Sequence, residues 1–228
     1  MYSTVFYTLL FLVPCIAITG PLTSGAAYVT RNWSRDEHSF MFSDFKDAVK
    51  ANWKQSLPVS LITGLMPFVV FMGWRFYGGE ASSQPLMMLP QILILMVGIL
   101  WSISVTYMHP LIVGYELRMR DLFRNAILLA IARLPMSVGI RLLHCVPLIL
   151  TVLGIYLFNN VLPILICFLY YCIFGFAFSR FITASYVNGV FDKYINSRIE
   201  GAVVNRGLRK EEDDDEEEAE ETEETPAE

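Results

Sequence analysis

Long stretches of this sequence carry no formal charge. Positions 1–30, 55–74, 81–115 and 142–179 contain no Asp, Glu, Lys or Arg. A bilayer core needs roughly 20 apolar residues per crossing helix, so each run is long enough to cross at least once. An apolar fraction of 54% and a mean hydropathy of +0.47 exclude an ordinary water-exposed surface. The chain reads as an all-α, multi-pass membrane protein.

Chemical motifs are missing too. There is no G-x-x-x-x-G-K-[ST] cradle for nucleotide phosphates, so the chain does not itself power transport with ATP. H-E-x-x-H, G-x-S-x-G and the dinucleotide-binding glycine fingerprint are absent as well. The histidines are His38, His109 and His144, far apart and without an evident carboxylate partner; His109 and His144 are placed to face a polar cavity or to bond between helices. Cys15, Cys145, Cys167 and Cys172 lie in apolar runs without C-x-x-C spacing and read as packing thiols. No catalytic, metal-ligating or cofactor-binding residue is nominated, which points away from an enzyme and from a nucleic-acid partner.

The formal charge of −5 conceals two parts of opposite sign. Glu211–Glu228 holds 13 of the 22 acidic residues, which leaves 17 basic against 9 acidic residues elsewhere, a net of +8. A basic body suits an anionic lipid surface. The tail lacks the apolar area needed to fold, and residues 200–228 are expected to be a disordered appendage to a helical membrane domain over 1–199.

Spans are expected at about 2–19, 57–76, 86–113, 136–157 and 161–182, five in all. Gly20-Pro21 predicts a kink or break after the first, because proline removes a backbone donor. The first apolar run has no preceding Lys or Arg, so it reads as a retained helix and not as a cleaved secretory signal. Asn159-Asn160 and Pro163 divide the run 142–179 into a hairpin. Arg31, Arg35, Lys46, Lys50 and Lys54 precede the second span, and Arg118, Arg120, Arg124 and Arg133 precede the fourth. That asymmetry places these segments in the cytoplasm of a cell-membrane protein, with the N-terminus outside and the acidic C-terminus inside. It also sets aside the glycosylation acceptor Asn32-Trp33-Ser34.

Within the first basic segment, Phe42, Phe45, Val49 and Trp53 recur at helical spacing. They predict an amphipathic helix over about 43–56, capped by Ser43, with Asp44 and Asp47 in its first turn. Lys46, Lys50 and Lys54 form a separate stripe for a lipid surface or a partner protein. Asp44-Phe45 precedes Leu57-Pro58-Val59-Ser60 as Asp121-Leu122 precedes Leu134-Pro135-Met136-Ser137, an offset of 77 residues. Pro21-Leu22-x-x-Gly25 and Pro110-Leu111-x-x-Gly114 echo each other upstream. The pattern suggests a parallel internal repeat, an arrangement also met in transporters.

Gly20-Pro21-Leu22-Thr23-Ser24-Gly25-Ala26-Ala27-Tyr28-Val29-Thr30-Arg31, then Asp44-Phe45 and Asn52-Trp53-Lys54-Gln55-Ser56, resemble the signature of the YesL-like family, bacterial membrane proteins with a domain of unknown function. Tyr107-Met108-His109-Pro110-Leu111 and Arg124-Asn125-Ala126-Ile127-Leu128-Leu129-Ala130 resemble its later motif, so the likeness spans roughly residues 5–195. Family members usually carry a short amphipathic stretch before the first span, not found here, and the acidic tail falls outside the pattern. The resemblance implies an accessory or regulatory role in carbohydrate uptake beside importers of the ATP-binding cassette type. Their permease subunits and membrane lipids are the implied partners. It assigns no catalytic or ligand residue.

Charges at the span ends are the remaining candidates, since a charge at membrane depth is costly and tends to serve a task. Arg141 and Arg180 stand near the inner ends of spans four and five, and Glu116 follows span three. Glu116 is placed to pair with either arginine at an inner mouth; snorkelling to headgroups accounts for both arginines without a site. Two functions are left open: the accessory subunit, and a small transporter or channel working as a homo-oligomer.

Overall fold

The structure, a computed structural model, describes residues 2–81, 84–202 and 204. The acidic tail lies outside the described residues. The helices are α1 (Tyr2–Trp33), α2 (Met41–Ala81), α3 (Met88–Gly114), α4 (Met119–Ala132), α5 (Leu134–Phe158), α6 (Leu162–Tyr170) and α7 (Phe176–Tyr194). No strand occurs among the described residues. A π-helical turn, Tyr171–Gly175, joins α6 to α7 without a break in the rod. Five rods are long and apolar enough to cross a membrane: α1, α2, α3, α5 and the α6–α7 rod. The fold is therefore all-α and multi-pass.

Two helix boundaries differ from expectation. Gly20-Pro21 neither ends nor breaks α1, which runs on to Trp33. Gly20 serves as a contact and not as a hinge, because a Cβ there would stand 2.6 Å from Ser60 Cβ and 2.7 Å from the Ser56 carbonyl oxygen on α2. The amphipathic segment 43–56 is not a separate helix lying on the bilayer. It is the first part of α2, a 41-residue helix that passes through Pro58. Proline there forfeits the single backbone bond to the Lys54 carbonyl. Asp44, and not Ser43, caps this helix: its Oδ2 accepts from the Phe40 amide at 2.9 Å and from the Ser39 hydroxyl at 2.8 Å.

The corresponding Leu134-Pro135 does coincide with a break, since Arg133 (φ −123°, ψ 35°) separates α4 from α5 and Pro135 sits in the first turn of α5. The two echoed segments are thus built differently, as one continuous helix in the first half and as two helices in the second.

Packing is concentrated at the end of the bundle that carries α4, called here the basic end. Val59 of α2, Tyr107, Met108 and Leu111 of α3, Leu122 and Ala126 of α4, and Val187 and Phe191 of α7 form one buried cluster. α5 buries only Ser137, near its start at this end, and α6 buries nothing. Lipid replaces protein neighbours along such apolar faces without a hydrophobic penalty.

Lys46, Lys50 and Lys54 are exposed, while Phe45 and Val49 lie against the glycine surface of Gly25 on α1. Changing all three lysines to Gln is therefore expected to leave amide protection over 45–56 unchanged in hydrogen exchange. A loss of protection would show that lipid, not α1, holds the segment.

Candidate functional site: a cationic cavity among the crossing helices

A cavity of about 240 Å³ lies where all five crossing rods meet. Its walls are rich in hydroxyls: Thr19, Thr23 and Thr30 of α1, Ser60 and Thr63 of α2, Thr106 of α3, and Ser179 and Thr183 of the α6–α7 rod. His109, His144, Arg141 and Arg180 complete its polar lining, which includes no carboxylate among the described residues. Arg141 is half-buried and Arg180 exposed. The Arg180 guanidinium is close enough to act electrostatically on both Arg141 and His109.

The sequence explains the level of this cavity. Arg141 is the last charge before the run 142–179 and Arg180 the first after it. The His144 ring brings the two helices into register, with Nε2 3.1 Å from the Ser179 carbonyl oxygen and 3.2 Å from the Thr183 hydroxyl. Its Nδ1 lies 2.6 Å from the Ile140 carbonyl oxygen. Both arginines therefore mark one edge of the apolar zone. The π-helical turn sets the rotational phase of Ser179 and Arg180, because one wide turn rotates the downstream residues relative to an ordinary helix.

His109 is buried, with Nδ1 3.1 Å from the Ser24 hydroxyl. Ser24 is wholly buried and outside the cavity lining, so this contact ties α3 to α1. Beside it, the Tyr107 hydroxyl meets Ser137 Oγ at 2.5 Å and the Tyr186 hydroxyl at 2.9 Å, joining α3, α5 and α7.

A second polar cluster closes the basic end. Arg35 Nη1 donates to Asp192 Oδ1 at 3.1 Å, with both residues buried, and Arg35 Nε reaches Glu37 at 3.2 Å. Arg31 stands 3.9 Å from Glu37. Asn188 donates to the Ser34 hydroxyl, and the Tyr115 hydroxyl donates to Asn196 Oδ1 at 2.7 Å. Burial pushes the Tyr115 phenol up to about 12, against the pull of Arg31, so it remains a neutral donor.

The nominated residues fall into separate places. His109, Pro110, Arg141 and Arg180 line the cavity. Gly20 is buried and Pro21 and Tyr28 half-buried along α1, and Arg31 belongs to the ion-pair cluster. Asp44 caps α2, Phe45 packs at Gly25, Asn52 donates to the Ala48 carbonyl at 2.9 Å, and Asn125 is half-buried on α4. Lys54 is exposed, its Nζ 5.9 Å from the Trp53 ring centroid. Glu116 is exposed and pairs with neither Arg141 nor Arg180 among the described residues. The ion-paired carboxylates at the basic end are Glu37 and Asp192, which serve Arg31 and Arg35.

The hydroxyl lining was not nominated from the sequence, although Thr19, Thr23 and Thr30, with Ala27 between them, repeat at helical spacing on one face of α1. No sequence signal pairs Arg35 with Asp192, which are 157 positions apart.

Fold and cavity together define a multi-pass helical membrane protein with a polar, cationic interior site. Residues 2–74, which cover α1 and most of α2, match the family described as a protein of unknown function, DUF624. The match agrees with the YesL-like resemblance over that stretch. No curated protein and no solved structure matches the chain.

Proposed function

We propose that the protein is a non-enzymatic membrane component with an accessory or regulatory role in carbohydrate uptake, working beside the permease subunits of an importer of the ATP-binding cassette type. The observation that carries a ligand-sensing role is the cavity itself, which brings polar side chains of all five crossing rods together with the two guanidiniums of Arg141 and Arg180. Its histidines are engaged in bonds that tie helices together, an arrangement suited to holding a ligand and reporting it to the bundle. The uptake system is supported by the YesL-like resemblance alone. The clustering of Lys and Arg at the α4 end supports a cytoplasmic basic end in the cell membrane.

Gentle extraction of the C-terminally tagged protein from its native cell tests this role. Stoichiometric recovery of sugar-importer permease subunits is expected. A second reading, a small transporter acting as a homo-oligomer, is favoured by the prolines within the crossing rods, including Pro110 at the cavity wall. Recovery of a defined homo-oligomer that moves sugar or ions in reconstituted vesicles would replace the accessory role by this one.

A further inference from the structure

Two guanidiniums lining one cavity at the edge of the apolar zone, without a carboxylate between them, call for an anion. A buried charge is tolerated when it is paired, and this protein pairs its buried arginine at the basic end, Arg35, with Asp192. Arg141 and Arg180 have no carboxylate partner among the described residues, and Arg141 Nε is buried without a hydrogen-bond partner.

The threonines point the same way. Thr19, Thr23, Thr30, Thr63 and Thr183 each donate to a backbone carbonyl of their own helix, at 2.7–2.9 Å. Thr106 does not. Its side chain is 7% exposed, lines the cavity, and its hydroxyl has no partner. Leaving a buried hydroxyl unsatisfied costs about 1–3 kcal/mol, so the position is explained if something else accepts from it.

We propose that the cavity binds a phosphate group, with Arg141, Arg180 and Thr106 as its ligands. The planar guanidinium fork matches the oxygen spacing of phosphate. The volume of about 240 Å³ is several times the roughly 30 Å³ that a water occupies in the liquid, enough for the group with part of its substituent. Arg180 is exposed at the edge of the apolar zone, where lipid phosphates lie, so the group can arrive on a lipid headgroup or on a soluble phosphate compound. This site goes beyond the uptake role and does not depend on it: a missing importer partner leaves it standing, and its failure leaves the partner test standing.

The test uses the purified full chain in neutral detergent, with its thermal midpoint followed against inorganic phosphate, against chloride at equal ionic strength, and against phosphatidylglycerol or phosphatidylcholine micelles. Phosphate or phosphatidylglycerol is expected to raise the midpoint where chloride does not, nor phosphatidylcholine, whose phosphate charge is cancelled by its own choline cation. A response to inorganic phosphate assigns a soluble ligand; a response to phosphatidylglycerol alone assigns the lipid. Arg141→Gln and Arg180→Gln should each weaken the apparent affinity at least tenfold, and Lys193→Gln, the same charge loss outside the cavity, should leave it unchanged. Thr106→Val should weaken it several-fold while keeping or raising the ligand-free midpoint, a combination that misfolding does not produce. No response to either phosphate source, or equal weakening by Lys193→Gln, overturns the proposal.

Discussion

Replacing Asp192 with Asn is expected to destabilise the protein by about 3 kcal/mol, because breaking a buried ion pair by removing one partner leaves a desolvated charge uncompensated. Asp192 and Arg35 are 4% and 5% exposed, and their bond ties the end of α1 to the end of α7. Glu37, 3.2 Å from Arg35, stays in place and sets the loss at the low end of the usual range. The double replacement Arg35→Met with Asp192→Leu removes both charges and should recover most of the stability. Thermal unfolding of the three proteins in one detergent checks this; a double variant no more stable than Asp192→Asn would mean that the polar cluster is held by something other than charge.

A methyl group at Gly20 should cost about 2 kcal/mol, since overpacking a tight contact typically costs 1–3 kcal/mol. The atoms in the way include the Ser56 carbonyl oxygen, at 2.7 Å from the new Cβ, and a backbone carbonyl cannot swing aside as a side-chain tip does. Gly139→Ala on α5 meets nothing within 4 Å and should be neutral or stabilising by up to about 1 kcal/mol, because alanine is the better helix former. Equal midpoints for the two variants would show that α1 and α2 do not rely on close approach.

The crossing rods were legible because charge is excluded from hydrocarbon, and gaps in the distribution of Asp, Glu, Lys and Arg outline them. The boundaries at Pro21 and Pro58 were not. Local rules give a proline's cost to its own helix, whereas the compensating contacts, such as Gly20 against Ser60, belong to a neighbour that the rules do not see. For the site, Arg141, Arg180, His109 and His144 stood out as polar groups in apolar surroundings. Their convergence depends on how α3, α5 and α7 sit against one another, and so did the outcome for Glu116, which its place at the inner end of span three had offered as a partner. Thr106 has no distinguishing sequence context. It is singled out by its missing hydrogen bond, a property of the folded protein.

The length of α2 has a mechanical consequence. At 1.5 Å per residue its 41 residues span roughly 60 Å, about twice the hydrocarbon thickness of a bilayer. Its two halves form one continuous helix, joined through Pro58 and Pro67. A change in local bilayer thickness that reorients the embedded half is passed along that backbone to the protruding half and the lysine stripe it carries. Whatever touches those lysines is thereby coupled to the thickness of the membrane.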